Sequence, residues 1–131
     1  LGISSRIVWH GFRNDIPKLL AESDVFCFTS RWEGLGLAFI EAAAAGIPIV
    51  ASDLPVFREV LPADVATYVP PGDVPAFAHA IDALLQDPDA AIHSAAGEAE
   101  RVRKEYDSDR MVDRYAALYR ELLKTHADSS R

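Results

Sequence analysis

Short apolar runs alternate along this chain with stretches of helical periodicity. Four runs read as strands: residues 7–9, 25–29, 47–52 across Pro48, and the weaker 66–69. Apolar residues elsewhere recur at the i, i+3, i+4 spacing of helices that lay one face on a sheet. Strand and helix alternating in this order predict a parallel sheet covered by helices, an α/β fold. Asp15-Ile16-Pro17 reads as an N-cap with an early proline, opening a first crossover helix that closes at Ser23-Asp24. A second helix is predicted over 37–45, where Phe39, Ile40 and a run of alanines precede the stop signal Gly46 and then Pro48. A short helix over 55–60 follows. Asp73, after the turn Pro70-Pro71-Gly72, caps a helix over 74–86 whose packing stripe is Phe77, Ala80, Ile81 and Leu84. Two more helices are predicted over 90–106 and 109–124, the last striped by Met111, Tyr115, Leu118, Tyr119 and Leu122. Residues 1–126 form one domain in this reading, and 127–131 a flexible tail.

Composition fits a single globular domain: 131 residues, 50% hydrophobic and 25% charged. A net charge of -7 excludes a general nucleic-acid binder, which needs clustered Lys and Arg. Arg101, Arg103, Lys104 and Arg110 are interleaved with Glu98, Glu100 and Glu105, and read as a solvated helix face. The single cysteine, Cys27, cannot build a disulfide framework or a cysteine metal site, and fits a reducing compartment. His10, His79, His93 and His126 lack metal-ligand spacing, so no metal site is expected. His10 reads as an ordinary satisfied histidine. Ser30 lies outside a Gly-x-Ser-x-Gly elbow, which argues against a hydrolase nucleophile. No apolar stretch approaches the roughly 20 residues of a membrane-spanning helix. The chain opens at Leu1 and soon enters an apolar run, the pattern expected of a piece of a longer protein.

Chemistry concentrates in residues 29–46. The strand over 25–29 delivers its carboxyl end into this segment, where α/β sheets gather their ligands. Gly34 and Gly36 remove side chains where backbone N–H groups could approach a ligand, and the helix start behind them adds unpaired donors suited to phosphate. A plain turn would use the same glycines. Glu41, among Phe39, Ile40 and Ala42, is expected near a dry interior, where a carboxylate needs donors. The vicinal hydroxyls of a ribose would satisfy it; so would a loop backbone or an arginine such as Arg58. Glu33 reads either as one half of a capping box with Ser30 or as an exposed acid placed to accept hydrogen bonds from a sugar.

The string from Ser30-Arg31-Trp32-Glu33-Gly34-Leu35-Gly36-Leu37 through Glu41-Ala42-Ala43-Ala44-Ala45-Gly46-Ile47-Pro48 resembles the E-x7-E signature of retaining GT-B glycosyltransferases. Gly11-Phe12-Arg13, Arg58-Glu59-Val60, Val69-Pro70-Pro71-Gly72-Asp73 and Leu118-Tyr119 extend the likeness over residues 6–124. It implies a Rossmann-like parallel sheet with flanking helices, forming part of the C-terminal, donor-nucleotide-binding domain of a GT-B fold. Glu41 is then implied on the ribose, and Glu33 on the donor sugar as the candidate catalytic residue. The backbone of Gly34, Leu35, Gly36 and Leu37 would hold sugar and diphosphate, with Phe12 and Arg13 near the base. The resemblance further implies a nucleotide-diphosphate sugar as substrate, no cofactor, no metal, and front-face transfer assisted by the donor phosphate.

A complete enzyme of that kind has two such domains, and the chain matches only the later part of the second. The missing N-terminal domain would carry the unknown acceptor, so this chain alone is expected to be inactive. The resemblance places it in the cytoplasm, peripherally at the inner face of a membrane where acceptors are lipid-linked. Position 35 is Leu where relatives often carry Phe, and the 62–66 loop lacks a glycine often found there. An alternative reading is a non-catalytic truncated relative that binds or self-associates through exposed apolar faces.

Overall fold

The computed structural model describes residues 2–129, with side chains through His126. Strands β1 (Phe26–Phe28), β2 (Ile49–Ser52) and β3 (Thr67–Val69) form one parallel sheet in the order β1-β2-β3. Phe26 and Phe28 pair with Ile49 and Ala51, while Val50 and Ser52 pair with Thr67 and Val69. All four residues of β2 are buried, as a central parallel strand covered on both faces requires. Alternation along β2 sends Ile49 and Ala51 to one face and Val50 to the other. The first face is covered by α1 (Ile16–Ala21), α2 (Leu37–Ala45), α3 (Pro55–Val60) and α5 (Pro88–Glu105). Against the second lies α4 (Val74–Gln86), through Phe77 and Ala80. The chain ends its described part in α6 (Ser108–Ser129).

The larger core is built around two aromatic rings. Phe39 of α2 stacks on Phe57 of α3, with centroids 4.5 Å apart and planes 16° apart, and Phe28 of β1 meets Phe57 at 5.2 Å. Burying each of Phe39 and Phe57 fully stabilises the fold by about 1.5–3 kcal/mol. Behind them α5 crosses α2 at Gly46. A β-carbon there would lie 3.3 Å from Ala96 Cα and Ala99 Cβ, and the residue holds φ of +75°. The helix stop and the helix crossing therefore demand the same glycine.

Several local expectations change. Residues 7–9 are not a strand: Trp9 is 89% exposed, and no described residue pairs with the segment. A three-residue strand without a neighbour has no partners for its backbone groups and stays solvated. Only a 3-10 turn, Ser4–Arg6, forms before α1. Asp15 does not cap α1 with its side chain, because Arg13 takes both carboxylate oxygens, Nε to Oδ1 at 2.8 Å and Nη2 to Oδ2 at 2.5 Å. Asp73 does cap α4, accepting from the Ala76 N–H at 3.0 Å. Asp87 does the same for α5 through Ala90 at 3.2 Å, so that helix starts at Pro88 rather than at residue 90. With no Gly or Pro to stop it, α6 continues past residue 124 to Ser129, which takes in the described part of the expected tail; residues 130–131 lie outside the described residues.

Candidate functional site

The loop leaving β1 carries residues 29–36 across the carboxyl end of the sheet and enters α2 at Gly36. Gly36 holds φ of +71° and caps α2 without any side-chain bond. Its carbonyl accepts from the Phe39 and Ile40 N–H groups, at 2.9 and 3.2 Å. Helix geometry leaves the N–H groups of Leu37 and Ala38 without a partner inside the helix, at the positive end of its dipole. An anion can bind there without a basic side chain.

Three grooves open along this helix and the loop before it. Glu33 lines one of about 370 Å³ with Arg31, Trp32, Gly34, Pro55 and Glu59. Glu41 lines another of about 460 Å³ with Ile16, Pro17, Leu20, Ala44 and Arg103. Leu35 and Leu37 line a third of about 420 Å³ with Ile40, Met111 and Tyr115. The sequence-predicted groups thus spread along α2, with Glu33 on the loop before its N-terminus and Glu41 about 6 Å along the axis from Leu37, in a groove that continues to Ala45 at the other end. Arg13 joins them indirectly: its ion pair with Asp15 precedes Ile16 and Pro17, which line the Glu41 groove. Phe12 is 93% exposed and lines none of the three grooves.

The two acids exchange the settings expected of them. Glu33 is half-buried and accepts a 2.8 Å hydrogen bond from the Ser30 hydroxyl. No helix begins at Ser30, so the pair is not a capping box: the two side chains bond to each other instead of to backbone N–H groups. Glu41 is exposed, because Phe39, Ile40, Ala42 and Ala43 form the buried face of α2 and leave positions 41 and 45 outward. It makes no hydrogen bond or ion pair with a described residue. Arg58, an alternative partner for it, is committed to Asp53 by two bonds, Nε to Oδ1 at 2.6 Å and Nη2 to Oδ2 at 2.9 Å. That arginine holds the Asp53 carboxyl below its ordinary range, and Asp15 is lowered in the same way by Arg13.

Other groups near the site were not legible as such. Trp32 is 83% exposed beside Glu33, and Glu59 faces the same groove from α3. Their proximity to the motif in sequence, for Trp32, and the early position in a short helix, for Glu59, were the available signals. Arg103 gave none: it reaches the Glu41 groove from 59 residues away, donating from Nε to the Ala44 carbonyl at 2.8 Å. Arg101 likewise donates from Nη2 to the Val60 carbonyl at 2.7 Å. Both arginines satisfy carbonyls at helix C-terminal ends, besides pairing with Glu98 and Glu100 on their own solvated face. Among the described residues no group of three or more His, Cys, Asp or Glu side chains could hold a metal ion, and no helix is long and apolar enough to cross a membrane.

An open parallel sheet with a glycine-capped helix at its carboxyl edge is the nucleotide-binding arrangement of α/β proteins. Residues 1–87 match the family model described as glycosyl transferases group 1, and the chain belongs to that family. It is 32% identical over 127 residues to the lipopolysaccharide core biosynthesis mannosyltransferase LpsB of Rhizobium meliloti, covering 94% of this chain and 36% of that protein. It is 37% identical over 122 residues to a phosphatidyl-myo-inositol mannosyltransferase of Mycobacterium leprae, covering 90% and 32%. The chain thus spans about a third of the length of these relatives. Among solved structures, Anabaena Alr3699/HepE in complex with UDP-glucose superposes with a TM-score of 0.86 at 25% identity, over 92% of this chain and 34% of the other. The sucrose-phosphate synthase of Thermosynechococcus elongatus superposes at 0.75 with 30% identity, over 82% and 27%. These GT-B neighbours share the α/β fold of three parallel strands and flanking helices.

Proposed function

We propose that this chain is the donor-binding part of a retaining glycosyltransferase that moves a sugar from a nucleotide-diphosphate sugar to an acceptor. The observation that carries the reading is the start of α2 behind Gly36, which no side chain caps, with Glu33 on the loop before it and Glu41 one turn along the helix. Diphosphate would rest on the free N–H groups of Leu37 and Ala38, where negative charge building on the leaving group is stabilised electrostatically. Glu41, with no partner of its own, would accept from both ribose hydroxyls. Glu33, oriented by Ser30, would accept from the donor sugar. A metal is not needed in this scheme, because the helix dipole takes the part of a cation. The UDP-glucose complex of the Anabaena neighbour supports the ligand class.

Acceptor binding would fall to parts of the longer protein outside this chain, which alone would transfer no sugar. The working place in this reading is the cytoplasm, at the inner face of a membrane. Titration of nucleotide-diphosphate sugars into the protein and its Glu41→Ala variant tests the proposal. Binding is expected in the first and a loss of about tenfold or more in the second. Equal affinity in both would remove the ribose role from Glu41.

A further inference from the structure

The second half of α2 offers packing little to grip. Residues 42–45 are all alanine and lead into Gly46, where α5 meets the helix end through Ala96 and Ala99. Contacts among such small groups let two helices approach closely, but present few ridges and grooves to fix rotation about the axis or travel along it. One polar contact supplies the missing direction. Arg103 of α5 donates from Nε to the Ala44 carbonyl at 2.8 Å. That carbonyl has no partner inside the helix, because the residue four positions on is Pro48, which carries no N–H. No other described group donates to it. The ion pair of Arg103 with Glu100, at 3.8 Å, stays within α5 and fixes nothing between the helices.

Glu41 is carried by the turn that Arg103 holds. It stands three residues before Ala44, on the same side of the helix, and Arg103 borders the groove that Glu41 lines with Ile16, Pro17 and Leu20. A carboxylate on a helix surface moves with any rotation of that helix, and a misplacement of about 1 Å is enough to lose a directed hydrogen bond. Arg101 provides a comparison within the same helix. It makes the like contact from Nη2 to the Val60 carbonyl at 2.7 Å, but on α3, which carries no part of the Glu41 groove.

We propose that Arg103 is a positioning residue for ribose recognition: by holding the Ala44 carbonyl it sets the rotation of α2 that points Glu41 into its groove. The inference rests on the reading of Glu41 as the group that meets the ribose. Calorimetric titration with UDP, ADP and GDP, each beside its 2′-deoxy form, tests it. The readout is the ratio of the two dissociation constants on the base that binds tightest. A variant that is only less stable loses both ligands together and leaves that ratio alone, whereas a displaced Glu41 changes it. The ratio is expected at about tenfold in the native chain, about one in Glu41→Ala, and below about threefold in Arg103→Met, which keeps the aliphatic stem and loses every donor. Arg103→Lys restores a charged donor and should recover most of the ratio, while Arg101→Met should keep it whole. Added to Glu41→Ala, Arg103→Met should lower the ratio no further, since both act through one carboxylate. A native ratio of about one, or one that Glu41→Ala leaves intact, would remove the ribose from Glu41 and this inference with it. A ratio lost in Glu41→Ala but kept in Arg103→Met, or lost equally in Arg101→Met, would overturn the role of Arg103 alone.

Discussion

The ring of Phe57 fills the space that a β-carbon on Gly36 would need: such an atom would lie 2.6 Å from Phe57 Cε1. Position 36 also holds φ of +71°, so sterics and backbone geometry both restrict it to glycine. Gly36→Ala is expected to destabilise the fold by about 2 kcal/mol or more, seen as a lower midpoint in urea unfolding. Phe57→Leu in the same chain should recover part of the clash and none of the φ strain, leaving the double variant above the additive sum of the singles. Strict additivity would show that the two residues do not meet.

Tyr68 links β3 to α3. Its hydroxyl lies 2.9 Å from the Phe57 carbonyl and 2.8 Å from the Leu61 carbonyl, sharing its proton between them, and Arg58 lies 4.7 Å from its ring centroid. Burial pushes the phenol up to about 12. A folded-state value above the unfolded one means that the native protein holds the proton while the unfolded chain releases it. The contribution is therefore complete below about pH 10 and is lost as pH rises towards 12. Thermal melting followed across that window should fall more steeply for the native chain than for Tyr68→Phe, which should itself cost about 1 kcal/mol at neutral pH.

At the acid end the sign reverses. Asp53 is held below its ordinary range by Arg58, so its contribution is present at neutral pH and is lost as the carboxylate takes up a proton below about pH 4. Asp53→Asn should flatten the acid limb of the stability profile. The effect will be small, since the pair is exposed.

Glu33 and Glu41 are predicted to fail differently. Glu33→Gln should leave affinity for a nucleoside diphosphate unchanged and weaken only the nucleotide sugar, whereas Glu41→Ala should weaken both. Calorimetric titration with the two ligands separates these outcomes. A Glu33→Gln variant that loses the nucleoside diphosphate as well would place that side chain on the wrong part of the ligand.

The extents of α2, α3 and α4 were legible because each is bounded by local chemistry. Gly46 stops α2, Pro55 opens α3, and Asp73 caps α4. The strands over 47–52 and 66–69 were recognisable from their apolar runs, trimmed by the ladder to β2 and β3. Residues 7–9 carry the same signature and form no strand, since an apolar run cannot announce whether a neighbour exists to pair with it. The burial of the two acids was misjudged for a related reason. Glu41 sits in an apolar sequence, but only one face of α2 touches the sheet, and rotation about the helix decides which residue faces out. The loop and glycines of the site were readable one residue at a time. The reach of Arg101 and Arg103 was not, being a consequence of how α5 crosses two other helices.

Those two arginines give the site a common mount. Arg103 grips the rear of α2 and Arg101 the rear of α3, while the front of α2 bears the helix start behind Gly36 and the front of α3 walls the Glu33 groove. Both helices therefore hang from a single rod, α5, at their C-terminal ends. Replacing a loop residue adjusts one groove at a time; shifting α5 swings both fronts together. The relative setting of the Glu33 loop groove and the start of α2 is thus governed from α5, whose Arg103 also lines the Glu41 groove.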